Sequence, residues 1–399
     1  MIDFNAYAIK FTAGPQTGNS VHDCSISNSG GYISSDEVGS LELRDNVGLL
    51  VYNNTITNNS RALNDNGICI RIGVNMEGLK LYNNTINGIE KDALHTTWCF
   101  AIELWAGTAV PSGYGTEFYG NTIRGCTDFG SGIAHGAYAY GAYIHDNNFI
   151  VDTVQDTSIV RRGLDLESQI DSLIICRNHF KNHNRPLEFS QSADLVSTNI
   201  VQNVYIYDNE FMNICYGDSV RSVFSGGYTP HGVAIDCAQA STYYAASFDN
   251  INIWNNTMVA YAARKGECGI YLPTGLAVTN INIQNNIIKD FVTAPIIAEK
   301  QVGGGTLSTM FIEHNVIYGC GNSNNYKEVT FTATSVTNDL GIKQDPSLVS
   351  TTDYNILTNS PAKYAGIPVV FPLSDVSTDI NGLPFATPPS IGAYEFVIP

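Results

Sequence analysis

The sequence predicts an all-β solenoid, a coil in which short parallel strands stack rung upon rung along one axis. Three observations lead to this fold class. A strand-like motif that ends in asparagine recurs about every thirty residues, apolar and polar residues alternate within it, and a second alternating run precedes most copies. Repetition at such a period is typical of repeat architectures, in which each unit contacts only its neighbours.

The repeat becomes visible when the chain is aligned on its asparagines. Copies include "LLVYNNTI", "LKLYNNTI" and "VYIYDNEF", and "SVHDCSI" fits one step earlier with Cys24 in place of the asparagine. The spacing ranges from 26 residues (Asn121 to Asn147) to 47 residues (Asn209 to Asn256). The aligned positions are Asn54, Asn84, Asn121, Asn147, Asn178, Asn209, Asn256, Asn286 and Asn315.

The local pattern predicts strands on either side of a corner. In "LKLYNNTI", Leu79 and Leu81 precede the asparagine and Ile86 follows it, which is the period-two alternation of a strand buried on one face. Asparagine tolerates the left-handed backbone of a tight bend, and stacked copies can hydrogen-bond to one another. We therefore expect three short strands in each rung, joined by one asparagine corner and two looser corners. The strand before the asparagine motif is represented by "GICIRI", "GLDLES", "PLEFSQ" and "GVAIDC".

These motifs resemble the right-handed parallel β-helix of the pectin-lyase-like superfamily, a single-stranded solenoid with an asparagine ladder at one corner. The resemblance covers residues 1–320. Residues 321–399, with "QDPSLVSTTDYNILTNSPAKYAGI" and "PSIGAYEF", resemble the choice-of-anchor-type C-terminal segment of secreted bacterial β-helix proteins. Together the two resemblances imply a coil over residues 1–320 followed by a capping or anchor segment over residues 321–399. Because this fold hosts lyases, hydrolases, epimerases, adhesins and phage spikes, it does not specify an activity.

Composition narrows the range of partners. The 399 residues contain 20 Lys+Arg and 37 Asp+Glu, a formal net charge of −17, which argues against binding to nucleic acid. A polyanionic glycan would need a bridging cation such as Ca²⁺. No apolar run is long enough to span a membrane, and the first residues, "MIDFNAYAIKFTAG", show no signal peptide. The abundance of Gly and Tyr with few charges favours an extracellular, cell-surface or virion location.

The resemblance implies that a substrate groove runs along the first sheet, and parity places acidic residues on its outer face. Asp165 and Glu188 fall on adjacent rungs, about 5 Å apart, which is compatible with the carboxyl pair of a retaining glycosidase. With Glu167 they are the predicted catalytic residues, and the same three carboxylates equally suit a Ca²⁺ site or a solvated face without chemistry. One predicted outer column is Glu103, Ala134, Asp165, Glu188 and Ala234, and the next is Trp105, Gly136, Glu167, Ser190 and Asp236.

Other residues near these columns are predicted to bind substrate. Tryptophans can form platforms for sugar rings, and arginines can either neutralise a uronate or balance the local acids. The predicted substrate-binding residues are Glu103, Trp105, Trp98, Arg162, Arg185, His231 and Asp236. A row of mostly aromatic residues two positions before the asparagines either binds sugars or, as we favour, stabilises the sheet: Tyr52, Tyr82, Tyr119, His145, Cys176, Tyr207 and Trp254.

The sequence thus predicts a secreted or surface polysaccharide-processing protein. A glycoside hydrolase is preferred to a lyase, because "SQIDS" after Glu167 lacks the lysine that the resemblance implies for calcium-assisted lyases. The "GHG" and "RIK" signatures of polygalacturonases are also absent. The alternative is a non-catalytic structural or adhesive β-helix, such as a fibre, a filament subunit or a tail-spike segment, which would self-associate.

Overall fold

The architecture was analysed in a computed structural model of the chain. The structure describes residues 8–10, 16–27, 38–57, 67–73, 76–88, 99–104, 115–124, 133–135, 138–152, 162–167, 169–190, 199–215, 232–237, 246–274, 277–300, 306–321, 327–329, 336–338, 341–372 and 378–396. These residues contain β-strands and no helix, as the period-two pattern predicts.

Three parallel sheets form the walls of a coil, and the chain visits them in turn. All strand pairs within them are parallel, and each strand pairs with the corresponding strand one rung away. The first sheet consists of Ile9–Lys10, Val38–Leu43, Gly67–Ile72, Cys99–Leu104, Ile133–His135, Arg162–Glu167, Arg185–Ser190, Val233–Asp236, Cys268–Thr274, Ala294–Lys300 and Lys327–Val329.

The second sheet contains the strands that lead into the asparagine corner. Along its main path lie Ser20–His22, Leu50–Tyr52, Lys80–Tyr82, Glu117–Tyr119, Tyr143–His145, Ile174–Cys176, Asn199–Tyr207, Ala246–Trp254, Ala277–Gln284, Thr306–Glu313 and Val336–Asn338. Tyr138–Tyr140 and Gln169–Asp171 also belong to it, off this path.

The third sheet follows the corner. Its strands are Ser25–Ser27, Thr55–Thr57, Thr85–Asn87, Thr122–Arg124, Asn148–Ile150, His179–Lys181, Glu210–Ile214, Thr257–Ala260, Ile287–Lys289 and Val316–Tyr318. A separate pair, Gln16–Thr17 with Asn46–Val47, lies between the first two sheets in chain order. The predicted parallel β-helix with three strands per rung is confirmed.

The coil interior is a stack of like apolar side chains. One column on the first sheet contains Leu41, Ile70 and Ile102 and, beyond one intervening rung, Leu164, Leu187, Ile235, Ile270 and Ile296, all in direct register. On the third sheet, Phe149, Phe180 and Phe211 stack face to face, with ring centroids 4.7 Å and 5.0 Å apart. Burial of these side chains is the main stabilising contribution, and it accumulates rung by rung.

The predicted asparagine ladder is present at the corner between the second and third sheets. Asn54 through Asn315 occupy successive rungs, and each is buried. In the middle of the ladder, Asn178 Nδ2 donates to Asn209 Oδ1 at 3.0 Å and to the carbonyl of Ile144 at 2.9 Å. Asn209 Oδ1 also accepts the backbone N–H of Asn178 at 3.0 Å. Asn178 Oδ1 in turn accepts from Asn147 Nδ2 at 3.0 Å, so both polar atoms of the buried Asn178 amide are satisfied, as burial requires.

The backbone bend itself lies one residue earlier than we predicted. The ladder asparagines do not have positive φ; the residue before each of them does, for example Asn53 (55°), Asn83 (54°) and Asp208 (54°). Gly120 fills this place on one rung, with φ of 65°. The tight turn therefore explains the preference for Asn, Asp or Gly at the preceding position, whereas the ladder position is explained by its hydrogen bonds.

The described part of 341–396, here called the C-terminal segment, folds back along the outside of the coil. Asn285 fixes its path, because Asn285 Nδ2 donates to the carbonyl of Ile367 at 2.7 Å and Asn285 Oδ1 accepts the N–H of Ile367 at 3.0 Å. Tyr394 Oη donates to Glu210 Oε1 at 2.5 Å. The strands Lys327–Val329 and Val336–Asn338 still pair with the coil, and a domain boundary at residue 320 stays a prediction.

Candidate functional site

The outer face of the first sheet carries a cluster of five charged side chains. Arg162 and Asp165 come from one strand, Arg185 and Glu188 from the next, and Asp236 from the strand after that. Strand alternation explains the outward placement of Asp165 and Glu188, because their neighbours along the strands, Leu164, Leu166, Leu187 and Phe189, point into the coil. Arg162 and Arg185 have the parity of these inward residues, yet both guanidiniums contact Glu188. We call these five residues the first-sheet cluster.

Glu188 is the centre of the first-sheet cluster. Its Oε2 accepts from Arg162 Nε, and its Oε1 lies 3.3 Å from Arg185 Nη1. Arg162 Nε is also 3.6 Å from Asp165 Oδ2, and Arg185 Nη1 is 3.0 Å from Asp236 Oδ2. Each carboxylate therefore contacts at least one guanidinium, and the ion pairs link three consecutive rungs.

All five residues of the first-sheet cluster are buried. Five ionised groups out of water would be costly to fold unless they were paired, so the ion pairs are what make this burial tolerable. With all five ionised, three carboxylates and two guanidiniums leave a net charge of −1. The exposed fractions are 1% for Arg162, 1% for Asp165, 0% for Glu188, 3% for Arg185 and 1% for Asp236.

The predicted outer column is confirmed over four rungs and wrong at the fifth. Glu103 pairs with Ala134, Ala134 with Asp165, and Asp165 with Glu188. The next partner of Glu188 is Asp236 and not Ala234, because Ile235 pairs with Leu187 where the prediction had placed Val233. The strand Val233–Asp236 is shifted by two residues from the predicted register, and it follows the third-sheet strand Glu210–Ile214 within the longest interval of the repeat, Asn209 to Asn256. This shift brings Asp236 into the acidic column and into contact with Arg185.

The same column extends toward the start of the chain, which the sequence reasoning missed. Glu42 pairs with Arg71, and Arg71 pairs with Glu103. Glu42 is 1% exposed, and its Oε1 lies 2.5 Å from Arg44 Nη2. The signal was available, since the strands "VGSLEL" and "GICIRI" place these charges at the same parity as Glu103. Charged residues thus recur along much of the outer first sheet.

Several predicted site residues lie outside the part of the chain whose side chains the structure describes. The strand backbones at Glu103 and Glu167 are placed, and Glu167 pairs with Ser190, but their side chains are outside the described residues. Trp98, Trp105 and His231 are entirely outside it. Their predicted roles in catalysis or substrate binding therefore stay predictions.

The predicted aromatic row is present on the second sheet, beginning with His22. His22, Tyr52, Tyr82, Tyr119 and His145 stack with ring centroids 4.8, 4.9, 4.9 and 5.1 Å apart and ring planes within 6° of parallel. Ring faces are therefore covered by neighbouring rings, and the edges point outward. A sugar binds to the face of an aromatic ring, so this arrangement favours the interpretation as a sheet-stabilising stack.

The rest of the row is covered by the C-terminal segment. Cys176 and Tyr207 are fully buried, and Trp254 is 7% exposed. The ring of Phe371 lies 5.1 Å from Tyr207 and 6.5 Å from Trp254, centroid to centroid. These side chains point away from the coil interior, but the folded-back segment removes them from solvent.

The described residues also bear on the predicted metal site and on the predicted lack of a membrane span. No group of three or more His, Cys, Asp and Glu is placed to hold a metal ion among the residues with described side chains, a set that excludes Glu167. Calcium binding by Asp165, Glu167 and Glu188 stays a prediction. No helix in the described ranges is long and apolar enough to cross a membrane.

Comparisons with known proteins give little further guidance. No protein-family model matches the chain, and no curated protein sequence does. Among solved structures, the chain is similar to the Dettilon tailspike protein, with 10% identity and a TM-score of 0.42. The match covers 84% of this chain and 63% of that one, so this chain spans less than two thirds of the tailspike's length. A likeness this weak carries no argument about function.

Proposed function

We propose that this chain is a non-catalytic structural or adhesive β-helix displayed on a cell or virion surface. The observation that carries the proposal is the state of Glu188, which is 0% exposed and contacts both Arg162 and Arg185. A glycosidase needs an acid that reaches the glycosidic oxygen and a second carboxylate that reaches the sugar or a water. In the first-sheet cluster, the oxygens that would do this contact guanidiniums from the same sheet.

The remainder of the fold supports the same proposal. The asparagine ladder, the aromatic stack and the column of inward apolar residues are all side-chain rows that reinforce the coil along its axis. The first-sheet cluster also reinforces the coil along its axis, because its ion pairs connect three neighbouring rungs. A protein that must stay rigid outside the cell benefits from such ladders, because each rung strengthens its neighbours.

The second candidate is polysaccharide processing at the first sheet, with a hydrolase preferred to a lyase. One observation favours it: Asp165, Glu188 and Asp236 occupy a single column on three adjacent strands. In this candidate, Asp165, Glu188 and Glu167 are the catalytic acids. Substrate would contact Glu103, Trp105, Trp98, Arg162, Arg185, His231 and Asp236, with Ca²⁺ as an optional bridging ion.

The two candidates are separated by incubating the protein with a broad panel of neutral and acidic polysaccharides. Reducing-end release and ultraviolet absorbance from unsaturated products would be followed with Ca²⁺ and with chelator. Asp165→Asn and Glu188→Gln proteins would run beside the unmodified chain, with Asp152→Asn as a control, because Asp152 is exposed and outside the cluster.

A structural or adhesive protein gives no release from any polysaccharide. Release that is lost in both cluster variants, while Asp152→Asn and the folded state are unaffected, would overturn the proposal and establish the hydrolase. Release with ultraviolet absorbance that chelator abolishes would instead establish a lyase with a cation site. Because the unmodified chain alone decides whether there is release, a variant that fails to fold does not obscure the outcome.

A further inference from the structure

A cavity of about 630 Å³ lies between the coil and the C-terminal segment, at the third sheet and not at the first. Its inner wall is formed where three successive strands of the third sheet end, at Asn213, Tyr261 and Asp290. Its outer wall comes from the C-terminal segment, through Ser347, Thr352 and Tyr354. Its volume is in the range of clefts that bind small molecules in proteins.

The chemistry of the wall combines aromatic, aliphatic and hydroxyl groups. The Tyr261 ring is partly exposed on the coil side, while Tyr354 is 1% exposed and fixed in the opposite wall. Leu348 and Leu357 add apolar surface, and the hydroxyls come from serines and threonines of the C-terminal segment. An aromatic ring beside several hydrogen-bonding groups is the combination that recognises a sugar, which has an apolar C–H face and a rim of hydroxyls.

The charges of the wall cancel in pairs. Lys289 Nζ lies 2.9 Å from Asp345 Oδ1, and Lys265 Nζ, just outside the wall, lies 3.4 Å from Asp290 Oδ1. Burial alone would raise the pKa of Asp345, but the hydrogen bonds from Lys289 and from the backbone N–H of Ser347 outweigh this effect and keep the pKa below its usual range. The three charged residues of the described wall are therefore already paired. With a net charge of −17 on the whole chain, this favours an uncharged ligand over a uronate.

We propose that this cavity binds the end of an uncharged oligosaccharide, with Tyr261 as the surface for the sugar ring. The site is built jointly by three rungs of the coil and the C-terminal segment, so binding also tightens the contact between them. This proposal is independent of the first-sheet cluster, because none of the five cluster residues lines the cavity. It would give an adhesive β-helix a defined point of attachment.

Binding is tested by saturation-transfer NMR and calorimetry with cellobiose and maltose as uncharged probes and digalacturonate as an anionic probe. Two variants remove the site in different ways: Tyr261→Ala deletes the aromatic surface, and Ala262→Arg fills the cavity from its exposed wall. Ala263→Arg is the matched control, because Ala263 is also exposed, adjacent in sequence and not part of the wall.

We expect an uncharged probe to bind and digalacturonate to bind at least tenfold more weakly. Tyr261→Ala should weaken binding about tenfold, which corresponds to about 1.4 kcal/mol, and Ala262→Arg should abolish it while Ala263→Arg leaves it unchanged. Failure of all the uncharged probes to bind would overturn the proposal. Binding that survives both variants would also overturn it, but would leave an adhesive function in place through another surface.

Discussion

Arg185 and Asp236, residues from neighbouring strands separated by the longest interval in the repeat, meet at 3.0 Å between Nη1 and Oδ2 on the outer face of the first sheet. The same guanidinium nitrogen lies 3.3 Å from Glu188 Oε1. One arginine thus holds two carboxylates on adjacent rungs, and all three side chains are at most 3% exposed. Arg185 and Asp236 thus form a charged link between rungs across the longest interval of the repeat.

Replacing this arginine is expected to destabilise the fold strongly. Arg185→Met removes the guanidinium from Glu188 and Asp236 but keeps the buried carboxylates, so the free energy of unfolding should fall by about 3–5 kcal/mol. Urea unfolding followed by circular dichroism measures this change. Arg124→Met is the matched control, because Arg124 pairs with Asp152 at 2.7 Å with both side chains about half exposed. That surface pair should contribute no more than about 1 kcal/mol. Equal losses in the two variants would contradict the prediction.

The asparagine ladder should be as sensitive as the charged link. Asn178→Ala removes the acceptor of two hydrogen bonds from Asn147 and the donor of one to Asn209, all buried. Because each buried polar group left without a partner costs about 1–3 kcal/mol, we expect a total loss of about 3–5 kcal/mol in urea unfolding. Asn87→Ala, at a partly exposed asparagine whose side chain makes a long contact of 3.4 Å with Thr57, should cost under about 1 kcal/mol. A small effect of Asn178→Ala would contradict the prediction, because it would mean that water takes over the hydrogen bonds of the missing side chain.

Stability should fall as the pH rises above the usual range of an aspartate. Burial raises the pKa of Asp208 well above its ordinary value; Arg177 opposes this, while Asp379 and Glu395 of the C-terminal segment add to it. A raised pKa in the folded state means that folding retains a proton which the unfolded chain releases, so stability is highest at low pH and is lost as the pH rises.

Urea midpoints measured from pH 5 to pH 8 test this dependence. We expect the midpoint of the unmodified chain to decrease over this range, and Asp208→Asn to raise it at pH 8 and to flatten the slope. Some slope should remain, because burial also raises the pKa of Asp379. Asp23→Asn is the control, since Asp23 occupies the same corner position on an early rung but a hydrogen bond with His22 lowers its pKa. An unchanged slope in Asp208→Asn would refute the assignment.

The C-terminal segment should detach locally when its aromatic anchor is removed. The Phe371 ring contacts Tyr207 and Trp254 and stacks on Phe385 at 5.3 Å. Phe371→Ala should cost about 1–3 kcal/mol and expose Trp254, which shifts its fluorescence to longer wavelength. The measurement is made with Trp98 and Trp105 replaced by phenylalanine, so that Trp254 alone emits. Phe311→Ala, at a 36% exposed ring on the second sheet, is the control that should leave the emission unchanged.

Much of the coil could be predicted from the sequence because its rows are local and repeat. The asparagine ladder follows from nine copies of one motif, and strand parity correctly separates Leu164 and Leu166, inside, from Asp165, outside. The register of Asp165 with Glu188 follows from aligning two neighbouring rungs of similar length. The predicted register is wrong at Asp236, because the sequence of the long interval before it does not show where the next strand begins.

The solvent exposure of side chains on the outer face of the coil could not be predicted, because strand parity distinguishes only side chains that point into the coil from side chains that point out of it. Whether an outward residue is exposed depends on segments far away in sequence, such as the C-terminal segment over Tyr207 and the surroundings of Glu188. The pairing of Arg162 with Glu188 likewise needed side-chain geometry, although both residues were already expected to lie near the site. The cavity beside Tyr261 could not be predicted either, because its walls come from residues that are far apart in sequence and share no motif.

The most direct test of the structural interpretation of the first-sheet cluster is the thermal unfolding midpoint of Glu188→Gln, an isosteric change that removes one charge. If Glu188 joins Arg162 and Arg185 as part of the fold, the variant loses about 3–5 kcal/mol, and its midpoint falls by about 4–6 °C relative to the unmodified chain. An unchanged midpoint would contradict this interpretation. It would show that the carboxylate is dispensable for folding, as expected of a catalytic acid in an open groove.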